Sequence, residues 1–172
     1  APLFSVVIGP SPERKATGKE KKEMAELHHK RLQFWEGLLS VLNKRTSLYK
    51  NISPTTDNWL SAATGVGGIR FQIVIRMDDA AIKLIIEKYK TVQNKKIFDY
   101  LYTKKETIES TFGHKINWRR MDNHISSRIE HDLKGFGLGD ESTWERGYKS
   151  IAEKLVKWER TFRPYFGELK TM

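Results

Sequence analysis

Between Ile69 and Leu133, large apolar residues recur at every second position in two separate stretches. Ile69, Phe71, Ile73 and Ile75 alternate with Arg70, Gln72, Val74 and Arg76, and Ile82, Leu84 and Ile86 alternate with Lys83, Ile85 and Glu87. A period of two belongs to a strand with one buried face, so the pair predicts a β-hairpin turning at Met77-Asp78-Asp79-Ala80. Lys115 to Met121 and Ser126 to Leu133, joined by Asp122-Asn123-His124, predict a second hairpin.

Elsewhere the apolar spacing is that of helices. From Lys19 to Asn43, Met24, Leu27, Phe34, Leu38 and Val41 form one row and Leu32, Trp35, Leu39 and Leu42 an adjacent one. Ile97, Phe98, Leu101, Tyr102, Ile108 and Phe112 predict a helix over Lys95 to Phe112, stopped by Gly113. Trp144, Tyr148, Ile151, Leu155, Trp158 and Phe162 predict a last helix from Ser142 to the Arg163-Pro164 break, capped by Ser142 or Asp140. Ser53-Pro54 resembles a helix start, so a short helical turn carrying Trp59 is expected. Thr64-Gly65-Val66-Gly67-Gly68 precedes a strand and lacks the lysine and hydroxyl of a phosphate loop, so its glycines are read as backbone devices on entry to the sheet.

The expected fold is therefore α+β: a four-stranded antiparallel sheet of two β-hairpins with three amphipathic helices on one face, in the order α-ββ-α-ββ-α. Residues 1–18, broken by Pro2, Pro10 and Pro12 but apolar at Leu3, Phe4, Val6, Val7 and Ile8, are expected to be a linker or edge segment. Residues 19–172 then form a single α+β domain.

If Ile69, Phe71, Ile73 and Ile75 face the helices, their neighbours face away. Arg70, Arg76, Lys83, Arg119 and Arg128 would gather on that outward side, where guanidinium forks suit phosphate oxygens. The competing reading is a solvated face whose cations pair with Glu87, Glu130 and Asp132 across strands. No exposed aromatic platform for stacking is expected there beyond Tyr89 or Tyr100, which argues against an autonomous RNA-binding module.

Charge supports anionic partners: 31 Lys and Arg against 21 Asp and Glu give a formal net charge of +10. The chain has no cysteine, which removes disulfides and thiolate metal sites. No apolar run approaches the roughly 18 residues of a membrane span and no signal peptide is apparent, so a cytoplasmic location is expected. His28 and His29 face two directions without a third ligand, and the carboxylates Asp57, Asp78, Asp79, Glu106, Glu109 and Glu130 show no spacing that nuclease or glycosidase chemistry requires. No catalytic residue, metal or cofactor is expected of this chain.

Several segments carry a resemblance. Phe34-Trp35, Asn51-Ile52-Ser53-Pro54, Asp57-Asn58-Trp59-Leu60-Ser61, Gly65-Val66-Gly67-Gly68, Ile97-Phe98-Asp99-Tyr100-Leu101, Asn117-Trp118-Arg119-Arg120-Met121, Ser127-Arg128-Ile129 and Phe162-Arg163-Pro164 resemble a prokaryotic domain-of-unknown-function family. The similarity runs from about Glu26 to Phe166. Members of that family commonly follow a region related to PD-(D/E)xK restriction-type nucleases, and Pro2-Leu3-Phe4-Ser5-Val6-Val7 resembles the join. The resemblance implies a carboxy-terminal accessory domain of a nuclease, whose catalytic acids would lie upstream.

The expected function is thus a non-catalytic nucleic-acid-associated module of a restriction or defence-type nuclease. It would bind duplex DNA phosphates through Arg70, Arg76, Lys83, Arg119 and Arg128. The alternative is a protein-interaction or homodimerisation module without nucleic-acid binding, using Trp144, Tyr148, Trp158 and Phe162 or the apolar amino-terminal segment. A third reading is a ligand sensor with a pocket near Trp59, the Gly65 to Gly68 loop and Trp118.

Overall fold

The computed structural model describes residues 12–172. The first hairpin forms as its alternation requires: β2 (Ile69–Ile75) and β3 (Ala80–Ile86) pair antiparallel, with Phe71 opposite Leu84 and Ile73 opposite Ile82. Between them the Arg76 amide donates to the Asp79 carbonyl at 2.9 Å. In the second hairpin β4 (Asn117–Arg119) pairs with β5 (Ser127–Leu133), Trp118 opposite Ile129. Pairing of β5 with β3, Ile129 opposite Leu84, merges both hairpins into one sheet.

The sheet has five strands, where four were expected. Trp59–Ala63 forms β1, paired antiparallel to β2 with Leu60 opposite Ile73, giving the order β1-β2-β3-β5-β4. The expected helical turn at Trp59 is absent, and the segment before it is an irregular loop tied to α1. Arg31 Nη1 donates to the Thr56 carbonyl at 3.0 Å and Trp35 Nε1 to the Asp57 carbonyl at 2.8 Å. An isolated helical turn has little stability of its own, whereas the unpaired edge of β2 offers five residues a full ladder. Leu60 and Ala62 then point into the core, 2 % and 3 % exposed.

Helix α1 (Pro12–Leu42) begins earlier than Lys19, so residues 12–18 of the expected linker or edge segment are helical; Pro12 stands at the first position, where its missing amide costs nothing. The apolar segment Leu3 to Ile8 lies outside the described residues. The single helix expected over Lys95 to Phe112 is two: α2 (Thr91–Thr103) and α3 (Lys105–Phe112), broken at Lys104. The break lets α2 pack Phe98 against Trp118, ring centres 6.1 Å apart, while α3 turns Phe112 onto Trp158 at 5.1 Å. Helix α4 (Trp144–Phe162) follows a 3-10 turn capped by the Asp140 side chain, and α5 (Phe166–Leu169) is a closing turn. The order is therefore α-βββ-αα-ββ-α with four longer helices. None of the helices among the described residues is long and apolar enough to cross a membrane.

The helices cover the sheet face bearing Phe71, Leu84 and Ile129, and the core lies between. Helix α4 fills its centre. Trp144, Tyr148, Trp158 and Phe162 are 9 %, 6 %, 0 % and 0 % exposed, so the aromatic row proposed as a docking surface is core. The packed half of α1 closes over it, with Phe34 5.5 Å from Trp144.

Candidate nucleic-acid interface

Alternation turns every second strand residue away from the helices. The register aligns Ala63, Arg70, Ile85, Arg128 and Arg119 in one row of this outward face, and Ser61, Gln72, Lys83, Glu130 and Asn117 in the next. Trp59, Val74, Ala81 and Asp132 form a third. Val74, Ala81 and Ile85 are 7 %, 0 % and 1 % exposed although they stand outside the core cluster. They make an apolar floor, and Ile85 lies directly between Arg70 and Arg128, whose long stems can shield it while their charged ends stay in water.

On this floor lies an open hollow of about 370 Å³, lined by Trp59, Arg70, Gln72, Lys83 and Arg128 over Val74. It brings together three of the five cations expected on the outward face. Arg76 and Arg119 are apart from it. Arg76 sits at the hairpin turn, its Nε 2.5 Å from Asp79 Oδ1 and its Nη2 3.0 Å from Asp132 Oδ1. Hydrogen bonding to Asp79 raises the Arg76 pKa, and the same bond holds the Asp79 carboxyl below the usual carboxylate range. Arg119, on the edge strand β4, reaches Glu130 Oε2 at 3.5 Å.

Carboxylates engage two of the hollow's cations as well. Arg70 Nη1 lies 3.5 Å from Glu87 Oε1, both side chains well exposed. Lys83 Nζ lies 3.2 Å from Glu130 Oε1, held by charge without hydrogen-bond alignment. The cross-strand pairing of the competing reading thus accounts for four of the five cations. Arg128 is the exception: it makes neither an ion pair nor a hydrogen bond among the described residues, and its Nε is buried without an acceptor.

Trp59 lines the hollow but stands outside the cation set expected on the outward face, entering only the ligand-pocket reading among the functional ones. Read as part of a helical turn, it had no defined direction; as the first residue of β1 it shares the outward face with Val74 and remains 43 % exposed. The available signal was Leu60 and Ala62 at alternate positions, too small a pair to outweigh Ser53-Pro54. Trp118 faces the other way, onto Phe98 and Tyr102, so of the pocket expected near Trp59, the Gly65 to Gly68 loop and Trp118, only Trp59 lines the hollow.

A family model described as a domain of unknown function, DUF4268, matches residues 30–166. The chain belongs to the DUF4268 family. The DUF4268 match covers all five strands, the hollow and helices α2 to α4. It leaves out the first turns of α1, whose residues Gly18 to Glu26 are exposed. Among curated proteins and solved structures no significant match to the chain was found. Within the described residues no group of three or more histidine and carboxylate side chains is placed to hold a metal ion.

Proposed function

We propose that this DUF4268 domain is a nucleic-acid-binding accessory module, contacting phosphates through the outward face of its sheet and serving a nuclease whose catalytic acids lie elsewhere. The association with a nuclease rests on the resemblance in the sequence. The binding reading is carried by Arg128. A guanidinium nitrogen buried away from water costs free energy until an acceptor completes its hydrogen bonds, and no acceptor among the described residues does so for the Arg128 Nε. A phosphate in the hollow would pair with the part of the Arg128 guanidinium that lines it, with Arg70 and Lys83 adding charge around it.

Fluorescence anisotropy of a labelled oligonucleotide over a salt series tests the reading. Affinity should fall linearly on logarithmic axes, and Arg128→Ala should lower the slope by about one, the share of one phosphate contact. Binding that ignores salt, or a slope untouched by Arg128→Ala, overturns it.

A further inference from the structure

We infer that the hollow receives an unpaired nucleic-acid strand, one base stacked on Trp59 and a neighbouring phosphate held by Arg128. The inference rests on the phosphate-binding reading above and narrows it from nucleic acid in general to a strand whose bases are accessible from their faces.

Trp59 is what distinguishes the two. In a duplex every base is stacked on its neighbours and offers a protein only its edges, so an indole lying on an open sheet has no duplex surface to stack upon. An unpaired strand presents base faces, and an aromatic platform beside a cationic groove is how such strands are held without regard to sequence. Both components occur in one concavity here, Trp59 at one end and Arg128 at the other. They stand on β1 and β5, three strand spacings apart across the sheet and four residues apart along it, about 20 Å at the backbone. Their side chains close that gap from both ends, because both line the same hollow.

The floor between them suits a nucleotide in other respects. Val74 offers an apolar surface under the indole's neighbour, and Gln72, in the middle of the hollow, carries an amide for the polar edge of a base. Its Nε2 donates to Ser61 Oγ at 3.3 Å, which holds the amide in place across β1 and β2. A hollow of about 370 Å³ falls in the range of small-ligand sites, enough for one nucleotide unit.

The test compares a labelled single-stranded deoxyoligonucleotide with the duplex of the same sequence, by anisotropy at fixed salt. The wild-type domain should bind the single strand more tightly. Trp59→Ala should weaken single-strand binding roughly tenfold and duplex binding far less, while Trp59→Phe should restore most of the loss. Since Trp59 is well exposed, both variants should melt like wild type, and the strand-dependent quenching of tryptophan fluorescence should be missing from Trp59→Phe. Tighter binding to the duplex that still depends on Arg128, with Trp59→Ala without effect, overturns this inference and leaves the phosphate-binding reading standing. Absence of binding to either form overturns both.

Discussion

Lys83 and Glu130 face each other across β3 and β5, Nζ 3.2 Å from Oε1, with side chains only 10 % and 6 % exposed. The pair lies beneath the hollow, and Arg119 approaches the second Glu130 oxygen at 3.5 Å. Its position explains how a lysine survives on a strand whose seven residues are all buried. Removing one member of such a pair strands the other charge away from water. Lys83→Met should therefore cost about 2–4 kcal/mol of unfolding free energy, and Lys83→Met combined with Glu130→Leu should recover much of that loss. Urea denaturation of the two single variants and the double variant checks it; strictly additive losses would show that the two residues are not coupled.

Acid should destabilise the domain in two steps. Burial pushes the His131 imidazole below its ordinary value, its ring 4.9 Å from that of Phe112. Between that lowered value and about 6.5 the unfolded chain binds the proton and the folded one does not, so stability is full above about pH 6.5 and declines below it. Asp79 follows at lower pH. Its carboxyl, held down first by the hydrogen bond from Arg76 and also by Lys134, contributes stability present above its ordinary 3.8 and lost as pH falls through the folded value. Urea midpoints measured across the acid range should fall in both windows. His131→Asn should reduce the upper step, to which the lowered His114 also contributes, and Asp79→Asn the lower, which it shares with Asp99, the latter variant also lowering the midpoint at neutral pH.

Two adjacent glycines should respond oppositely to alanine. Gly68 has φ +78°, and a Cβ there would lie 2.8 Å from the Lys88 Cα, where the Gly68 carbonyl also accepts the Glu87 amide at 2.7 Å. Gly67 has ordinary φ and open space around its Cα. Gly68→Ala should lower stability by more than about 1 kcal/mol, from left-handed strain and collision with backbone, while Gly67→Ala should be neutral or slightly stabilising. Thermal melts of the two variants give the comparison directly.

Lys95 organises the second hairpin. Its Nζ lies 2.6 Å from the Arg120 carbonyl, 2.9 Å from that of Met121, 2.8 Å from that of Ser126 and 3.0 Å from Ser127 Oγ. Three ammonium protons shared among four acceptors gather a loop that includes Met121 at φ 57°. Asn94, fully buried beside it, accepts the Lys88 amide at 2.7 Å and donates to the Ile125 carbonyl at 2.9 Å. Lys95→Met keeps the stem but removes the ammonium, so the Ser126 carbonyl loses its donor while the Arg120 and Met121 carbonyls keep only the Ser127 hydroxyl and the His124 amide. Amide hydrogen exchange between Met121 and Ser127 should then accelerate far more than exchange in β2 and β3.

Alternating apolar residues made the two hairpins, their register faces and the outward direction of Arg70, Lys83 and Arg128 legible in the chain, because side-chain direction in a strand follows position alone. Helical spacing did the same for α4 and the packed half of α1. Only the tertiary structure decided the fifth strand, since β1 exists because β2 has an edge to fill and α1 holds the preceding loop in place. It also decided which cations are spoken for: Glu87, Glu130 and Asp132 were visible as candidates, but which cation each one reaches depends on the order of strands that no local pattern contains. The same applies to Trp59. Its chemistry is written in the sequence, whereas its place beside Arg128 comes from β1 and β5 lying three strands apart in one sheet.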